Sequence, residues 1–297
     1  MFPSSGCATT LLRIWLKFPT SLRLKTYKVL RIVGEYLYGS SVCGFGVQRL
    51  PLNLGFIKHG HVSQSHCHAG ELRAMQLVQQ YTSIPSPRPI DHITTQDESY
   101  LVMSAKPGVV LWDTFKTFTD EERMVFTREL QGYVEQLHAI PNTTKSGFAI
   151  CNAGGAACFD HRFDGSEAGP FKDQHDFVDF LYQGIPAQQL RHRTGYRICF
   201  THGDLALRNI LVKDGKISGI VDWETAGWYV VQCPLCCIVF VVADHMSRYP
   251  EWWEYTKCHF SIKEHGNWLG VVEEILPGYQ NELAAERELW KFLNPWG

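Results

Sequence analysis

Two short apolar segments near residue 215 constrain the fold of this chain more than any other feature. "NILVK" (209–213) and "ISGIVDW" (217–223) are joined by "DGK", a turn signal that predicts an antiparallel β-hairpin. A hairpin folds its two strands back to back, so Asn209 and Asp222 are expected at the same end. Asp204 lies in the loop that leads into the first strand, and it is expected near both.

Two carboxylates and an amide at one point make an oxygen-rich site. Mg²⁺ prefers such ligands, with phosphate oxygens completing its coordination. A carboxylate that does not bind the metal can accept a proton from an attacking hydroxyl. Taken singly, each residue is explained by capping a turn or ending a strand, whereas the trio at this spacing predicts metal-assisted phosphate chemistry. For His202, a role in bracing the loop backbone is expected.

"HGDLALRNILV" followed by "GIVDWE" resembles the catalytic loop and metal-binding segment of the aminoglycoside phosphotransferase and choline kinase family. Segments such as "YTSIPSPRPID" and "IVDWETAGWY" resemble its fungal branch. The resemblance implies a protein-kinase-like fold and the cofactors ATP and Mg²⁺. It implies that Asp204 is the catalytic base and that Asn209, Asp222 and Glu224 bind metal. The family's usual "HP" after "GDL" is "AL" here.

The same resemblance implies a nucleotide site in the N-terminal half. Lys58 in "FIKHG" would grip the ATP phosphates, and Glu71 in "GELRAM" would pair with it. The residues expected around adenine are Met103 as gatekeeper and the backbone of Ser104, Ala105 and Lys106. The alternatives are that Lys58 and Glu71 are solvated surface residues and that Met103 fills the core. Glycines at 39, 44 and 46 form no GxGxxG pattern.

The order of elements predicts an α+β fold with two lobes. Up to residue 105 the sequence is strand-rich with one helix: strands are expected at 54–60 and 99–108, a helix at 69–82, and non-helical chain at 83–90. Thr119 and Glu122 have the spacing of a capping box that starts a longer helix. We therefore expect a small β-rich N-lobe (1–105) that binds nucleotide and a larger helical C-lobe (106–297) with the catalytic loop and acceptor site.

Composition excludes some classes of function. A net charge of −2 is unlike the basic footprint of a nucleic-acid-binding protein, so no nucleic-acid partner is expected. The ten cysteines are scattered, which predicts reduced thiols and a cytoplasmic location. For "CPLCC" (233–237), apolar packing is favoured over zinc because no second ligand pair stands at a suitable spacing. No signal peptide is expected.

Residues 230–249 interrupt a motif that the fungal relatives continue without a break. Its apolar part, residues 230–243, is about 14 residues long and too short to cross a bilayer, which takes roughly 20 residues, so no stable membrane span is expected. We interpret it as an insertion, and hypothesise that it is a translated, unremoved intron. A genuine buried strand or helix and a lipid-contacting patch are the alternatives, and sequencing of mature transcripts distinguishes the first from the others.

Two functions follow. The first is an ATP-dependent phosphotransferase that transfers the γ-phosphate to a hydroxyl of a small molecule. The second is a catalytically impaired nucleotide-binding protein or interaction scaffold. The inserted segment 230–249 and the unusual "ALR" (206–208) favour it. The acceptor stays open among choline-like, sugar and protein hydroxyls. Acidic residues between 160 and 176 would suit a cationic acceptor or form a solvated surface.

Overall fold

A four-stranded antiparallel sheet organises the N-terminal part of the chain in this computed structural model. The structure describes residue 10, residues 12–39, 46–159, 167–181 and 198–230, and residue 271. The chain divides into two compact units: residues up to 72 with 87–105, and residues 73–86 with the described residues from 106 onward. The fold class is α+β, as the sequence predicts.

The first unit combines this sheet with two helices. Its elements are α1 (Thr20–Tyr38), β1 (Val47–Arg49), β2 (Phe56–His61), α2 (Ser65–Tyr81), β3 (Pro89–Thr94) and β4 (Glu98–Met103). The strand order is β1-β2-β4-β3 with every neighbouring pair antiparallel. Residues of α2 beyond Leu72 belong to the second unit.

The core of the first unit lies between α1 and the sheet. It contains Tyr27, Leu50, Ile57, Ile93, Tyr100 and Val102. The hydroxyl of Tyr27 donates to Asp91 Oδ2 at 2.9 Å, and Trp15 Nε1 donates to the Tyr27 hydroxyl at 2.7 Å. Burial raises the pKa of Tyr27 above its ordinary value. These bonds let a polar group sit in the core without a lost hydrogen bond.

The second unit combines helices with short strands. Its elements are β5 (Val109–Val110), α3 (Leu111–Thr114), α4 (Asp120–His138), β6 (Cys151–Asn152), β7 (Cys158–Phe159), β8 (Glu167–Ala168), α5 (Gln174–Leu181), β9 (Ile198–Thr201), β10 (Ile210–Lys213), β11 (Lys216–Ile220) and β12 (Gly227–Val230). They form two three-stranded sheets, β11-β10-β5 and β6-β12-β9, and the β7-β8 pair. The predicted hairpin at 209–223 is confirmed as β10 and β11.

Helix α4 begins at the predicted capping box. Thr119 Oγ1 accepts from the Glu122 N–H at 3.2 Å, and Glu122 Oε2 accepts from the Thr119 N–H at 2.8 Å. The buried face of α4 consists of Phe126, Thr127, Leu130, Val134 and Leu137. On the same helix, Glu129 Oε2 accepts from the Ile217 N–H of β11 at 3.1 Å. The helix is thereby joined to the hairpin that carries Asn209.

Several predicted boundaries are wrong. Helix α1 was not expected, because its apolar residues lie on both faces and give no one-sided pattern. Helix α2 begins at Ser65 rather than at residue 69, which places Glu71 in its second turn. Strand β4 ends at Met103 rather than at 108. Residues 73–86 belong to the second compact unit, whereas the lobes of residues 1–105 and 106–297 stay a prediction.

Some predictions fall outside the described residues. The C-terminal helix does, and so does nearly all of the 230–249 segment, of which only Val230 is described. Among the helices in the described ranges, none combines the length and apolarity needed to cross a bilayer.

Candidate active site

The loop after β9 depends on a glycine. Gly203 has φ +83°, and a Cβ there would lie 2.3 Å from the Thr225 carbonyl oxygen and 2.8 Å from Thr225 Oγ1. Only glycine fits so close an approach at positive φ. Thr225 Oγ1 in turn donates to the His202 carbonyl at 3.0 Å. The strand end and the segment after the hairpin are therefore held together across this loop.

His202 braces the loop backbone, as expected from the sequence. Its Nδ1 accepts from the Asp204 N–H at 3.2 Å, and its Nε2 lies 2.9 Å from the Val221 carbonyl oxygen. These two contacts require the neutral tautomer with the proton on Nε2. The ring packs against Trp223 with centroids 4.5 Å apart, and both side chains are buried. His202 thus fixes the backbone on either side of it without facing solvent.

Two donors hold the carboxylate of Asp204. Arg208 Nη2 and Asn209 Nδ2 donate to Asp204 Oδ2 at 2.9 and 2.8 Å. Asn209 Nδ2 also donates to the Asp204 carbonyl at 2.8 Å. The Asp204 side chain is 3% exposed and that of Arg208 is 31% exposed, so the ion pair extends from the interior to the surface. A single 3-10 turn, Leu207–Asn209, brings Arg208 and Asn209 back towards Asp204.

The hairpin brings Asn209 and Asp222 to the same end, as predicted. Ile210 pairs with Ile220, and the Val221 N–H donates to the Asn209 carbonyl at 2.9 Å. Asp222 follows directly with φ +67°, in the left-handed region that few non-glycine residues adopt. Such a conformation is retained only where the surroundings fix it, and it is common at functional sites.

Glu224 follows in the turn after the hairpin. It is half-buried, as is Asp222 two residues earlier, so both carboxylates remain accessible. Between them, buried Trp223 donates from Nε1 to the Ile220 carbonyl at 2.9 Å. Trp223 therefore anchors the segment on which the two acids lie.

In the first unit, Lys58 and Glu71 form an ion pair. Lys58 Nζ lies 2.8 Å from Glu71 Oε2, and the side chains are 7% and 0% exposed. The alternative of two solvated surface residues is therefore wrong. Burying two charges is costly unless they are paired, and removing either partner would leave an uncompensated buried charge. The pair fixes the Lys58 ammonium on β2 against the second turn of α2.

The segment expected to contact adenine follows β4. Met103 is buried at the end of β4, and a Cβ on Gly55 would lie 2.0 Å from its carbonyl oxygen. The Ser104 N–H donates to the Arg88 carbonyl at 2.9 Å, and Ser104 Oγ accepts from the Arg88 N–H at 2.9 Å. Exposed Ala105 ends the first unit, and Lys106 begins the next segment of the second unit.

Sequence reasoning missed the part played by Arg208. The sequence signal was an arginine four residues after Asp204 and directly before Asn209. That spacing predicts an ion pair on a helix, but these residues were expected in a loop, where no spacing rule applies.

The sequence model of the phosphotransferase enzyme family APH matches residues 59–247. This range covers more than half of the chain and includes the whole Asp204 loop and the hairpin. The chain belongs to this phosphotransferase enzyme family. The matched range begins one residue after Lys58, so the match does not extend to that lysine.

Curated relatives carry the name aminoglycoside 3'-phosphotransferase. One from Enterococcus faecalis is 42% identical over 67 residues, 21% of this chain and 22% of the relative. One from Staphylococcus aureus is 39% identical over 74 residues, 24% of each. One from Escherichia coli is 27% identical over 194 residues, 62% of this chain and 68% of the relative. The chain thus spans about a quarter of the length of the first two relatives.

Solved aminoglycoside phosphotransferases are also similar to this chain. A structure from Streptomyces rimosus in complex with ADP and streptomycin is 16% identical, with a TM-score of 0.46; the match covers 90% of this chain and 98% of that one. An aminoglycoside-3'-phosphotransferase of type VIII is 17% identical, with a TM-score of 0.49 and coverage of 86% and 91%.

Proposed function

We propose that this protein transfers the γ-phosphoryl group of ATP to a hydroxyl of a small molecule, with Asp204 as the catalytic base. One observation carries the proposal: Arg208 and Asn209 hold the buried Asp204 carboxylate within the family-matched loop. A carboxylate fixed in this way can orient an acceptor hydroxyl and take its proton as the new P–O bond forms. Phosphoryl transfer demands little more of the protein than such positioning and charge stabilisation.

The residues near the end of the hairpin suit a hard cation. Asn209 uses Nδ2 to donate to Asp204, and no described residue donates to its amide oxygen Oδ1. Asp222 and Glu224 add half-buried carboxylates. This oxygen set fits Mg²⁺, and we propose Asn209 and Asp222 as ligands with Glu224 beside them. When bound, the ion would offset negative charge on the phosphates.

In the first unit, we assign the nucleotide phosphates to Lys58. Its ion pair with Glu71 supports this role, because a buried ammonium on a fixed stem presents its charge in one place. For adenine we propose Met103 and the backbone of Ser104, Ala105 and Lys106. The Ser104 N–H is engaged with Arg88, so its carbonyl and the amides after it are the groups assigned to adenine.

The acceptor is the open part of the proposal. The relatives are named for aminoglycosides, which are polycations with several hydroxyls. Of the acids expected near an acceptor, Glu167, Asp173 and Asp176 are described. The backbone N–H groups of Asp176 and His175 lower the pKa of Asp173, so its charge persists to lower pH. We propose a cationic acceptor because the relatives are named for aminoglycosides, and we place the enzyme in the cytoplasm, where ATP is supplied.

The test is phosphate transfer from labelled ATP to aminoglycosides, choline and sugars, by the parent and by Asp204→Asn. Asp204→Asn should lower turnover about a hundredfold or more while Mg-ATP still raises the unfolding temperature. Asp214→Asn is the matched control, since Asp214 lies exposed in the hairpin turn with φ +52°. Parent-level turnover in Asp204→Asn would remove Asp204 as base. Nucleotide binding without transfer to any acceptor would favour the scaffold alternative.

A further inference from the structure

The outward face of helix α1 carries apolar side chains that are exposed in the described part of the chain. Of the sixteen exposed large hydrophobic residues in the described structure, ten lie between residues 14 and 38. Five of them recur at helical spacing, and we call these five the outer stripe: Leu22, Val29, Ile32, Val33 and Tyr36. Tyr36 is 89% exposed. Apolar patches of this kind on a folded surface mark interaction sites.

The outer stripe is separate from the face that α1 contributes to the core. Tyr27 is buried in the core of the first unit, with Leu24 and Leu30 packed beside it. Gly34 also lies inward, and a Cβ there would lie 2.1 Å from the Arg49 carbonyl oxygen. One face thus holds the helix on its unit, and the opposite face stays exposed.

Positive charge is concentrated along the same segment. Residues 10–39 contain six basic residues and one acid, so their net charge is 6 − 1 = +5 within a chain of net charge −2. Three of the six are paired in the structure: Arg23 with Asp91, Lys28 with Glu98, and Arg31 with Glu35. The other three are the exposed residues Arg13, Lys17 and Lys25.

These three cations form no ion pair with any described residue and lie close to exposed apolar side chains. Lys25 follows Leu22 by three residues and precedes Val29 by four, which places it on the same face of the helix as the outer stripe. Arg13 and Lys17 alternate with exposed Ile14, Leu16 and Phe18. An apolar stripe bordered by unpaired cations is typical of helices that lie in the interface of an anionic membrane.

We propose that α1 docks on the surface of a lipid bilayer that carries anionic head groups. The outer stripe would enter the interfacial region, with Arg13, Lys17 and Lys25 among the head groups. The helix would lie parallel to the bilayer, which agrees with the lack of a spanning helix in the described ranges.

Charge favours a membrane over a second copy of this chain. A two-fold interface brings the same patch of both copies together, so the cations of one copy would face those of the other. An anionic bilayer instead neutralises them. The cytoplasmic leaflet of cellular membranes is the one that carries anionic lipids, and it attracts basic segments in this way.

The test is co-sedimentation of the full chain with vesicles of phosphatidylcholine alone and of phosphatidylcholine with phosphatidylserine. The parent should bind the anionic vesicles at least tenfold more strongly, and high salt should reduce this binding. Arg13→Glu/Lys17→Glu/Lys25→Glu should lose more than tenfold, and so should Val29→Ser/Ile32→Ser/Tyr36→Ser. The control, Met124→Ser/Val125→Ser, changes two side chains of similar exposure on α4 and should bind like the parent.

Three results would overturn the proposal. One is equal or absent binding of the parent to the two kinds of vesicle. Another is parent-level binding by both the charge variant and the serine variant, each checked for parent-like circular dichroism. The third is a parent dimer that the serine variant disperses, without vesicle binding, which would assign the outer stripe to a second copy. None of these measurements depends on phosphotransferase activity.

Discussion

At the scale of single residues, Arg208 adds a second donor to the Asp204 carboxylate beside that of Asn209. Its guanidinium carries a full charge and donates to the oxygen that Asn209 Nδ2 also reaches. A charged donor makes a stronger hydrogen bond than an amide does. We therefore regard Arg208 as a positioning residue, which orients the proposed base without itself touching the reacting atoms.

Replacing Arg208 with alanine should lower kcat by roughly tenfold to a hundredfold and leave the KM for ATP within about twofold, because only the orientation of Asp204 changes. Arg208→Lys should recover part of kcat by restoring the charge without the fork geometry. Steady-state kinetics on the best acceptor measures both. A loss confined to KM for ATP would contradict this role, as would equal defects in the lysine and alanine variants.

The protonation of His68 should make the stability of the protein depend on pH. It is buried on α2, with Nδ1 2.9 Å from Ser99 Oγ. Burial lowers its pKa from 6.5 to about 3, with Lys58, His92 and His59 adding to the effect. Below pH 6.5 this histidine becomes protonated in the unfolded chain but stays neutral in the folded chain. The stabilisation is therefore complete above pH 6.5 and is lost as the pH falls towards 3.

Between pH 7 and pH 5 this single group should remove about 2 kcal/mol from the free energy of unfolding. His68→Gln should reduce that loss, because glutamine does not titrate. His66→Gln, on the exposed side of the same helix, is the control and should keep the parent's pH dependence. Urea unfolding at each pH measures the effect. If the unfolding free energies of the parent and of His68→Gln change equally between pH 7 and pH 5, the acid sensitivity belongs to other groups.

At the scale of elements, local signals determined which predictions succeeded. Helix α4 was predicted because Thr119 and Glu122 satisfy each other's backbone N–H groups at its start. The β10–β11 hairpin was predicted because "DGK" separates two apolar segments and supplies residues of positive φ, here Asp214 and Gly215. Helix α1 has no local signal of this kind. Pro19 precedes it without a side-chain cap, and both of its faces are apolar.

Removing the capping hydroxyl should destabilise α4 measurably. Thr119→Ala leaves the Glu122 N–H without its side-chain partner, which costs about 1 kcal/mol of unfolding free energy. Thr117→Ala is the matched control, since its exposed hydroxyl donates to the Thr114 carbonyl and caps no helix N–H. Chemical denaturation of both variants gives the comparison. Equal effects of the two changes would show that the capping bond contributes nothing beyond loss of a hydroxyl.

At the scale of the whole molecule, the sequence predicted the candidate site in more detail than it predicted the fold. The hairpin register that joins Asn209 to Val221 follows from local pattern. The Lys58–Glu71 pair joins a strand to a helix, and no local pattern predicts it; only family resemblance supplied it. The Arg208–Asp204 contact depends on one turn of irregular chain, whose geometry is set by the buried groups around it rather than by spacing.

The last prediction concerns residues 230–249, the segment that interrupts the motif after the hairpin. Strand β12 extends to Val230, which pairs with Ile198, so a deletion that preserves this pairing must begin at 231. We expect Mg-ATP at about 100 times its Kd to stabilise the parent by roughly 2.7 kcal/mol, raising its unfolding temperature by about 5 °C.

A chain lacking 231–249 should show the same shift, because Lys58, Asn209 and Asp222 all lie outside that segment. Differential scanning fluorimetry with and without Mg-ATP measures both chains, and Lys58→Met should reduce the shift in each. A shift seen only after the deletion would mean that the segment blocks nucleotide binding and that this chain is an impaired form. If neither chain shifts, the nucleotide roles proposed for Lys58, Asn209 and Asp222 fail together.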